Sequence, residues 1–167
     1  ILASTTLSSH LSEECATAGI PVVLFNRTTE RDAVSSVTTR NREGGRRIAE
    51  FLIAGGHRRF GYISGVESSS TNRDRFAGYR EALAEAGHDD IVIGVGNYDR
   101  AEAEAAAREM FSRPDRPDAL FVANDHMAVA VMDVARYEFG LSIPNDLSIV
   151  GYDDVGPARW ASYGITS

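Results

Sequence analysis

The amino-acid sequence predicts an α/β fold in which parallel β-sheets carry helices on both faces. Four apolar runs begin near residues 58, 90, 118 and 147, about 30 residues apart, and that spacing is typical of a βαβ unit. Helical patterns of apolar residues separate these runs. Regular alternation of strand and helix indicates a parallel sheet that is covered on both sides.

The strands are predicted at six apolar runs, of which the first two are short and flank a helix near residues 11–18. Each run is bounded by polar or turn-forming residues, as buried strands usually are. The six runs are "ILAS", "PVVLFN", "RRFGYISG", "DIVIGVG", "DALFVAN" and "LSIVGYDD".

The remaining helices are predicted from four segments with helical periodicity. Three of these segments end at glycine (Gly55, Gly87 and Gly140), which suits the left-handed residue that follows many helices. Two proline-containing loops, "SRPDRPD" and "LSIPND", lead into strands. The four segments are "REGGRRIAEFLIAGG", "RDRFAGYREALAEAG", "RAEAEAAAREMF" and "HMAVAVMDVARYEFG".

Composition excludes several classes of protein. No apolar run is long enough to cross a bilayer, so no membrane partner is expected. The net charge of −7 argues against direct binding of nucleic acid, which requires a basic face. The arginine cluster in "TRNREGGRR" is interpreted as a solvated helix start. The single cysteine, Cys15, cannot form an internal disulfide and is expected to pack on a helix.

Polar side chains follow the predicted strands, where an open parallel sheet binds its ligands. They form a set with one aromatic ring, assembled from distant segments of the chain. The set is Asn26 and Arg27, Ser64 onward, Asn97 to Asp99, Asn124 and Asp125, and Asp153 and Asp154. A small-molecule site at this edge of the sheet is therefore predicted.

Catalytic and cofactor motifs are not found in the sequence. No glycine-rich phosphate loop follows a strand, and the four histidines lack metal-ligand spacing. Asp153 and Asp154 are adjacent, so their side chains point in different directions and do not form a two-carboxylate pair. No metal, no cofactor and no enzymatic activity are predicted.

The segment "FVANDHMAVAVMD" places three polar residues between a buried strand and an apolar helix. We interpret Asp125 as the N-cap of that helix and Asn124 as a group that faces the ligand. The helix is apolar almost all round, whereas a helix on one sheet face needs only an apolar stripe. A second surface is therefore expected to cover it, although burial by its own domain is the alternative.

Five segments together resemble the effector-binding core of the lactose/galactose repressor (LacI/GalR) family of bacterial transcription regulators. The resemblance extends over essentially the whole chain, in the order and spacing of that family. The segments are "GIPVVLFNR", "GGHRRFGYISG", "RDRFAGYREAL", "PDALFVANDHMAVAVMD" and "IPNDLSIVGYDDVGPARWASYGITS".

The resemblance implies a periplasmic-binding-protein-like fold (type I), in which two similar α/β lobes hold a small effector, such as a sugar, between them. It assigns residues 1–40 to the second half of the first lobe, which is incomplete here, and residues 41–167 to the second lobe. It further implies a cytoplasmic homodimer that binds operator DNA through a helix-turn-helix outside this chain.

Five ligand-binding residues are implied by matches to motifs of the family. Arg75 matches the pocket arginine, Asp153 the effector-contacting aspartate and Asn124 the pocket asparagine. Tyr98 stands where an aromatic side chain often stacks on the effector, and Asn26 where some members have aspartate. For the dimer contact, the resemblance points to Val129 and Met132. Thr39 and Arg40 stand where many members have Asp-Asn, a departure from the family pattern.

An extracytoplasmic sugar-binding protein of a transporter is the alternative function. Such a protein shares the fold and the cleft, but it acts as a monomer and requires a signal peptide. The apolar helix and the "GYDD…ITS" segment favour the regulator. An enzyme is a distant third, since no catalytic constellation is found.

Overall fold

A computed structural model describes residues 1–3, 6, 10–29 and 34–167 of the chain. From β2 to β6, helices and strands alternate along it, as predicted. The helices are α1 (Leu11–Thr17), α2 (Asn41–Ala54), α3 (Ser70–Glu85), α4 (Arg100–Phe111) and α5 (Asp125–Asp133). The strands are β1 (Val23–Phe25), β2 (Ser35–Val37), β3 (Phe60–Ser64), β4 (Ile91–Val95), β5 (Ala119–Val122) and β6 (Ser148–Val150).

The strands form two separate parallel sheets. One contains β1 and β2, and the other has the order β4-β3-β5-β6. The predicted strand "ILAS" contributes a parallel bridge between Leu2 and Leu24, while its last residue lies outside the described residues. Strand β2 was not predicted, because Ser-Ser-Val has no apolar alternation and is exposed throughout.

Helices cover both faces of the four-stranded sheet, which confirms the predicted layering. On one face, the ring of Tyr62 stacks on Phe76 of α3 with 4.7 Å between centroids. On the other face, the neighbouring Gly61 packs against Met110 of α4. Strand β5 is buried along its whole length, as expected for the centre of a parallel sheet.

The glycines after the helices follow the prediction at two positions of three. Gly87 and Gly140 have φ of 81° and 63°, the left-handed conformation that glycine adopts without a Cβ clash. Gly55 continues the helical turn with φ of −70°. The left-handed residue is Gly56 (φ 83°), so the prediction for Gly55 is wrong by one position.

Helices α2 and α3 cross in direct backbone contact at two glycines. A methyl group on Gly45 would overlap the carbonyl oxygen of Arg75, and one on Gly78 would overlap the carbonyl oxygen of Arg42. At the outer edge of the contact, Arg46 donates to both carboxylate oxygens of Glu85 at 2.7 Å. The predicted arginine cluster is thus a solvated, ion-paired helix surface.

Helix α5 is buried mainly by its own domain, so most of its apolar surface needs no second partner. Met132 is 2% exposed and belongs to the hydrophobic core. It therefore offers no surface for a dimer contact, and its proposed place at an interface is wrong. Val129 is only partly buried and remains accessible. Within the part of the chain that the structure describes, no helix has the length and apolar character to span a membrane.

Candidate effector-binding site

The carboxyl ends of the strands enclose a cavity of about 240 Å³. Its walls come from five distant segments: two residues after β1, two on α3, and one after each of β4, β5 and β6. The lining residues are Asn26, Arg27, Thr71, Arg75, Tyr98, Asn124 and Asp153. All five predicted ligand-binding residues therefore line one cavity, at the sheet edge where a parallel sheet binds ligands.

Arg75 forms the buried floor of this cavity and is only 3% exposed. Its Nε–H donates to Asn41 Oδ1 (3.0 Å), one terminal nitrogen donates to the carbonyl of Ala123 (2.6 Å), and the other to Asp153 Oδ1 (2.8 Å). The guanidinium also lies 3.7 Å from the centroid of the Tyr152 ring, a cation–π contact. These contacts fix its planar fork and leave one N–H of each terminal nitrogen without a partner among the described residues.

Asp153 and Asp154 point away from each other, as predicted for adjacent residues. Asp153 faces Arg75 and the cavity, whereas Asp154 accepts from Arg159 Nε at 2.9 Å outside it. Its pairing with Arg159 lowers the pKa of the Asp154 carboxyl. The second oxygen of Asp153 bonds no described residue, and the side chain is 39% exposed. It is therefore open to a ligand hydroxyl.

The N-cap of α5 is Asn124, and not Asp125 as predicted. Asn124 is the N-cap of α5: its backbone is extended, and its Oδ1 accepts from the Met127 N–H at 3.0 Å. Asp125 is the first helical residue and is fully buried, so the prediction that it caps the helix is wrong. Burial raises the pKa of the Asp125 carboxyl. The amide nitrogen of Asn124 has no hydrogen-bond partner among the described residues, so both of its N–H groups can donate to a ligand.

Tyr98 is fixed against the backbone of another strand end. A methyl group on Gly65 would overlap the Tyr98 ring, so glycine is required there for the ring to approach. The Tyr98 hydroxyl lies 3.1 Å from Thr71 Oγ1. A flat aromatic wall with a tethered hydroxyl is therefore present on this side of the cavity.

The segment after β1 supplies another part of the wall, through Asn26 and Arg27. Asn26 adopts a left-handed φ of 55°, which asparagine tolerates better than most residues. Arg27 donates one hydrogen bond to the carbonyl of Asn26 (2.7 Å). The Thr28 N–H donates to Ser70 Oγ at 2.8 Å. This last bond links the two-stranded sheet to the start of α3.

Backbone strain is concentrated at these strand ends. In the described chain, every non-glycine residue with positive φ lies within four residues of the end of β1, β4 or β6, and three of the five line the cavity. Such conformations cost about 1–3 kcal/mol each and persist only where the surrounding structure holds them. They are Asn26, Asn97, Tyr98, Asp153 and Asp154.

Three residues that contact the predicted set were missed from the sequence. Asn41 anchors the Nε–H of Arg75, Tyr152 stacks on its guanidinium, and Thr71 lines the cavity. The run "SSSTN" before Arg75 is a signal that could have indicated Thr71. The described residues contain no cluster of three or more side chains suited to hold a metal ion.

Comparison with known proteins places this architecture in a family. A family profile described as "Periplasmic binding protein-like domain" matches residues 49–167. The chain belongs to this family. Within the family, this periplasmic binding protein-like domain is similar to regulators of the LacI type, so the resemblance seen in the sequence is confirmed.

Three relatives illustrate the similarity of this domain to known regulators. The transcriptional regulator CelR of Thermobifida fusca is 37% identical over 154 residues, which cover 90% of this chain and 45% of CelR. A structure of a CelR–cellobiose complex has a TM-score of 0.84 at 35% identity and covers 96% of this chain and 50% of that one. A LacI-family regulatory protein from Chloroflexus aggregans has a TM-score of 0.83 at 30% identity, covering 95% and 57%.

The domain spans about half the length of the curated relatives it matches. These relatives are transcriptional regulators and repressors, not enzymes. The fold, a periplasmic-binding-protein-like α/β architecture with parallel sheets, is thereby established for the matched region.

Proposed function

We propose that this chain is the effector-binding part of a LacI-type transcription regulator that senses a small metabolite, most simply a sugar. The observation that carries the proposal is the convergence of Arg75, Asn124 and Asp153 on one cavity. Similarity to the regulator CelR, one structure of which holds cellobiose, supports both the regulator and the sugar.

The cavity suits a ligand with several hydroxyl groups. Arg75 and the amide nitrogen of Asn124 donate hydrogen bonds, and the open oxygen of Asp153 accepts them. Tyr98 offers an aromatic face to the apolar side of a sugar ring. The walls that this chain supplies bound about 240 Å³, close to the lower end of the roughly 300–1,000 Å³ of small-molecule pockets.

Control of DNA binding would follow from movement between two lobes. We assign residues 1–40 to one lobe and 41–167 to the other. Walls from both sides line the cavity, and the hydrogen bond from Thr28 to Ser70 (2.8 Å) is a contact that lobe rotation would change. A ligand that prefers one arrangement by ~1–3 kcal/mol shifts DNA affinity roughly 5–150-fold.

The regulator would act in the cytoplasm as a homodimer that presents two DNA-binding heads to a palindromic operator. Val129, on the accessible side of α5, is assigned to the dimer contact. Sedimentation of the full-length protein tests the assembly: we expect a dimer at micromolar concentration, and monomers for Val129→Arg. A monomeric wild-type protein would contradict the proposed dimer. It would not bear on the ligand site, which has a test of its own.

The ligand is best identified by thermal denaturation of the full-length protein with a panel of neutral sugars, sugar acids, sugar phosphates and nucleosides. A compound that binds the folded state raises its melting temperature. We expect this rise to become much smaller in Asp153→Ala, whose affinity is weakened, and to persist in Asp154→Ala, a matched neighbour outside the cavity. Operator binding without ligand should survive both changes. An equal response in both variants would remove Asp153 from the site.

A further inference from the structure

The carboxylate of Asp125 lies directly beneath the turn that carries Asp153. The side chain is 0% exposed. Its Oδ2 accepts from the Val155 N–H and from the Ser167 hydroxyl, both at 3.0 Å. Its Oδ1 has no hydrogen-bond partner among the described residues. Both hydrogen bonds that Oδ2 accepts therefore come from the chain that follows β6, and neither comes from its own helix.

The turn held by Asp125 has a strained backbone. Asp153 and Asp154 adopt φ of 104° and 50°, in the left-handed region that non-glycine residues avoid. The turn is fastened on both sides: the Asp125 N–H donates to the Tyr152 carbonyl (2.9 Å), and the Asp154 N–H donates to Ser167 Oγ (2.9 Å). These bonds fix the backbone immediately before and after Asp153.

Helix capping does not account for the buried carboxylate. Asn124 already caps α5 through the Met127 N–H at 3.0 Å. A negative charge in the first turn also favours a helix, but a solvated carboxylate would serve that purpose without the cost of burial. Gly151 supports a more specific role, since a methyl group there would overlap Asp125 Oδ1. The chain is thus shaped to admit this side chain.

We propose that Asp125 is a positioning residue of the effector site, which holds the strained turn so that Asp153 faces Arg75 and the cavity. The effect of Asp125 on ligand affinity rests on the proposed function. The positioning itself is a property of the protein without ligand and can be measured alone.

Amide hydrogen exchange by NMR on the full-length protein without ligand tests the positioning. In Asp125→Ala we expect the Val155 N–H to exchange at least tenfold faster than in wild type. Asp125→Asn retains an oxygen that accepts from Val155 and should keep protection within about threefold. The alternative is that the carboxylate stabilises only its own helix, through its charge. Both variants remove that charge, and in that case the exchange of the Val155 N–H would be unchanged in both.

Two further variants keep the test decisive if Asp125→Ala does not fold. Ser167→Ala removes the acceptor of the Asp154 N–H and is expected to raise exchange there several-fold. Asp146→Ala is the matched control, because Asp146 accepts from the Ser142 N–H (2.8 Å) in the loop before β6. It should leave the exchange of Asp154 and Val155 unchanged. The proposal is overturned if the Val155 N–H keeps its protection in Asp125→Ala or, where that variant does not fold, if the Asp154 N–H keeps its protection in Ser167→Ala.

Ligand affinity is measured by titration of cellobiose, and a double-mutant cycle separates positioning from direct contact. Asp125→Ala is expected to weaken binding at least tenfold in the wild-type background and less than twofold in the Asp153→Ala background. Equal losses in both backgrounds would show that Asp125 does not act through Asp153. If wild type binds neither cellobiose nor another saccharide of the panel, the proposed sugar ligand is wrong, and the exchange measurement still decides the positioning.

Discussion

Two arginines at the same helix contact show how burial changes the meaning of an ion pair. Arg75 on α3 is 4% exposed at its side chain and bonds three acceptors of different segments, Asp153 among them. Arg46 on α2 lies on the outer face, 35% exposed, and pairs with the exposed Glu85 and, at 3.8 Å, with Glu50. The buried guanidinium is immobilised at the cavity, whereas the exposed pair is screened by water and contributes little. The same chemistry therefore fixes a guanidinium beside the cavity in one place and forms a screened surface pair in the other.

The largest loss of stability is expected at the contact between α2 and α3, the helices that carry the two arginines. In Gly45→Ala, the new methyl group overlaps the carbonyl oxygen of Arg75, and separation of the helices should cost roughly 3 kcal/mol, the upper range for overpacking. Urea unfolding measures the loss. The control is Gly55→Ala on the same helix, where the nearest atoms lie at 3.3 Å and stability should change little. Equal stability of the two variants would contradict direct backbone contact.

Removal of the buried partner comes next. Asp153→Ala leaves the Arg75 guanidinium without its carboxylate, at an expected cost of about 2 kcal/mol. This is less than the roughly 3–5 kcal/mol of fully buried pairs, because 39% of the Asp153 side chain is exposed. Chemical denaturation should show a clear decrease in midpoint for Asp153→Ala and almost none for Asp154→Ala. A reversed order would break the comparison.

The pH dependence of stability distinguishes buried from exposed carboxylates. Burial raises the pKa of folded Asp125, so its contribution is present below the unfolded pKa of about 3.9 and is lost as pH rises. The stability of Asp125→Asn relative to wild type should therefore increase between about pH 4 and pH 7. Arg159 lowers the pKa of Asp154, so the stability that this carboxylate contributes is fully present above the unfolded pKa of about 3.9 and is lost only as pH falls below it. The stability of Asp154→Asn relative to wild type should therefore stay constant between about pH 4 and pH 7. Urea titrations at several pH values measure both, and parallel slopes would contradict the assignment.

The smallest effect is expected for the outer ion pair. Arg46→Ala removes a pair between two exposed side chains, so its urea midpoint should match that of wild type at moderate salt. A large loss in this variant would show that the outer face contributes as much as the cavity floor.

Sequence periodicity predicted most of the fold because parallel strands and their covering helices leave regular apolar patterns. It also predicted where the site lies, since the carboxyl ends of parallel strands meet at one edge. The choice of Arg75 among the arginines came from the family resemblance, because nothing in its local pattern distinguishes it from Arg73 or Arg80.

Other features depend on details that a linear pattern does not contain. The contact between Asn41 and Arg75 exists because two glycines bring α2 and α3 together. The capping role of Asn124 instead of Asp125 depends on a shift of one residue in the helix start. Met132 was assigned to an outer surface because the apolar pattern of α5 does not reveal how much of it its own domain covers.

The glycine crossing of α2 and α3 has a consequence for how such a site can diversify. The close approach of the two main chains sets where Arg75 leaves α3, and the side chains of Asn41 and Asp153 then hold its guanidinium. Tyr98, Thr71 and Asn26 line the cavity but are not among the hydrogen-bond partners of this guanidinium, so their exchange would leave the contacts of that anchor in place. Selection for a new effector can begin at the rim while the central hydrogen-bonding group stays in register.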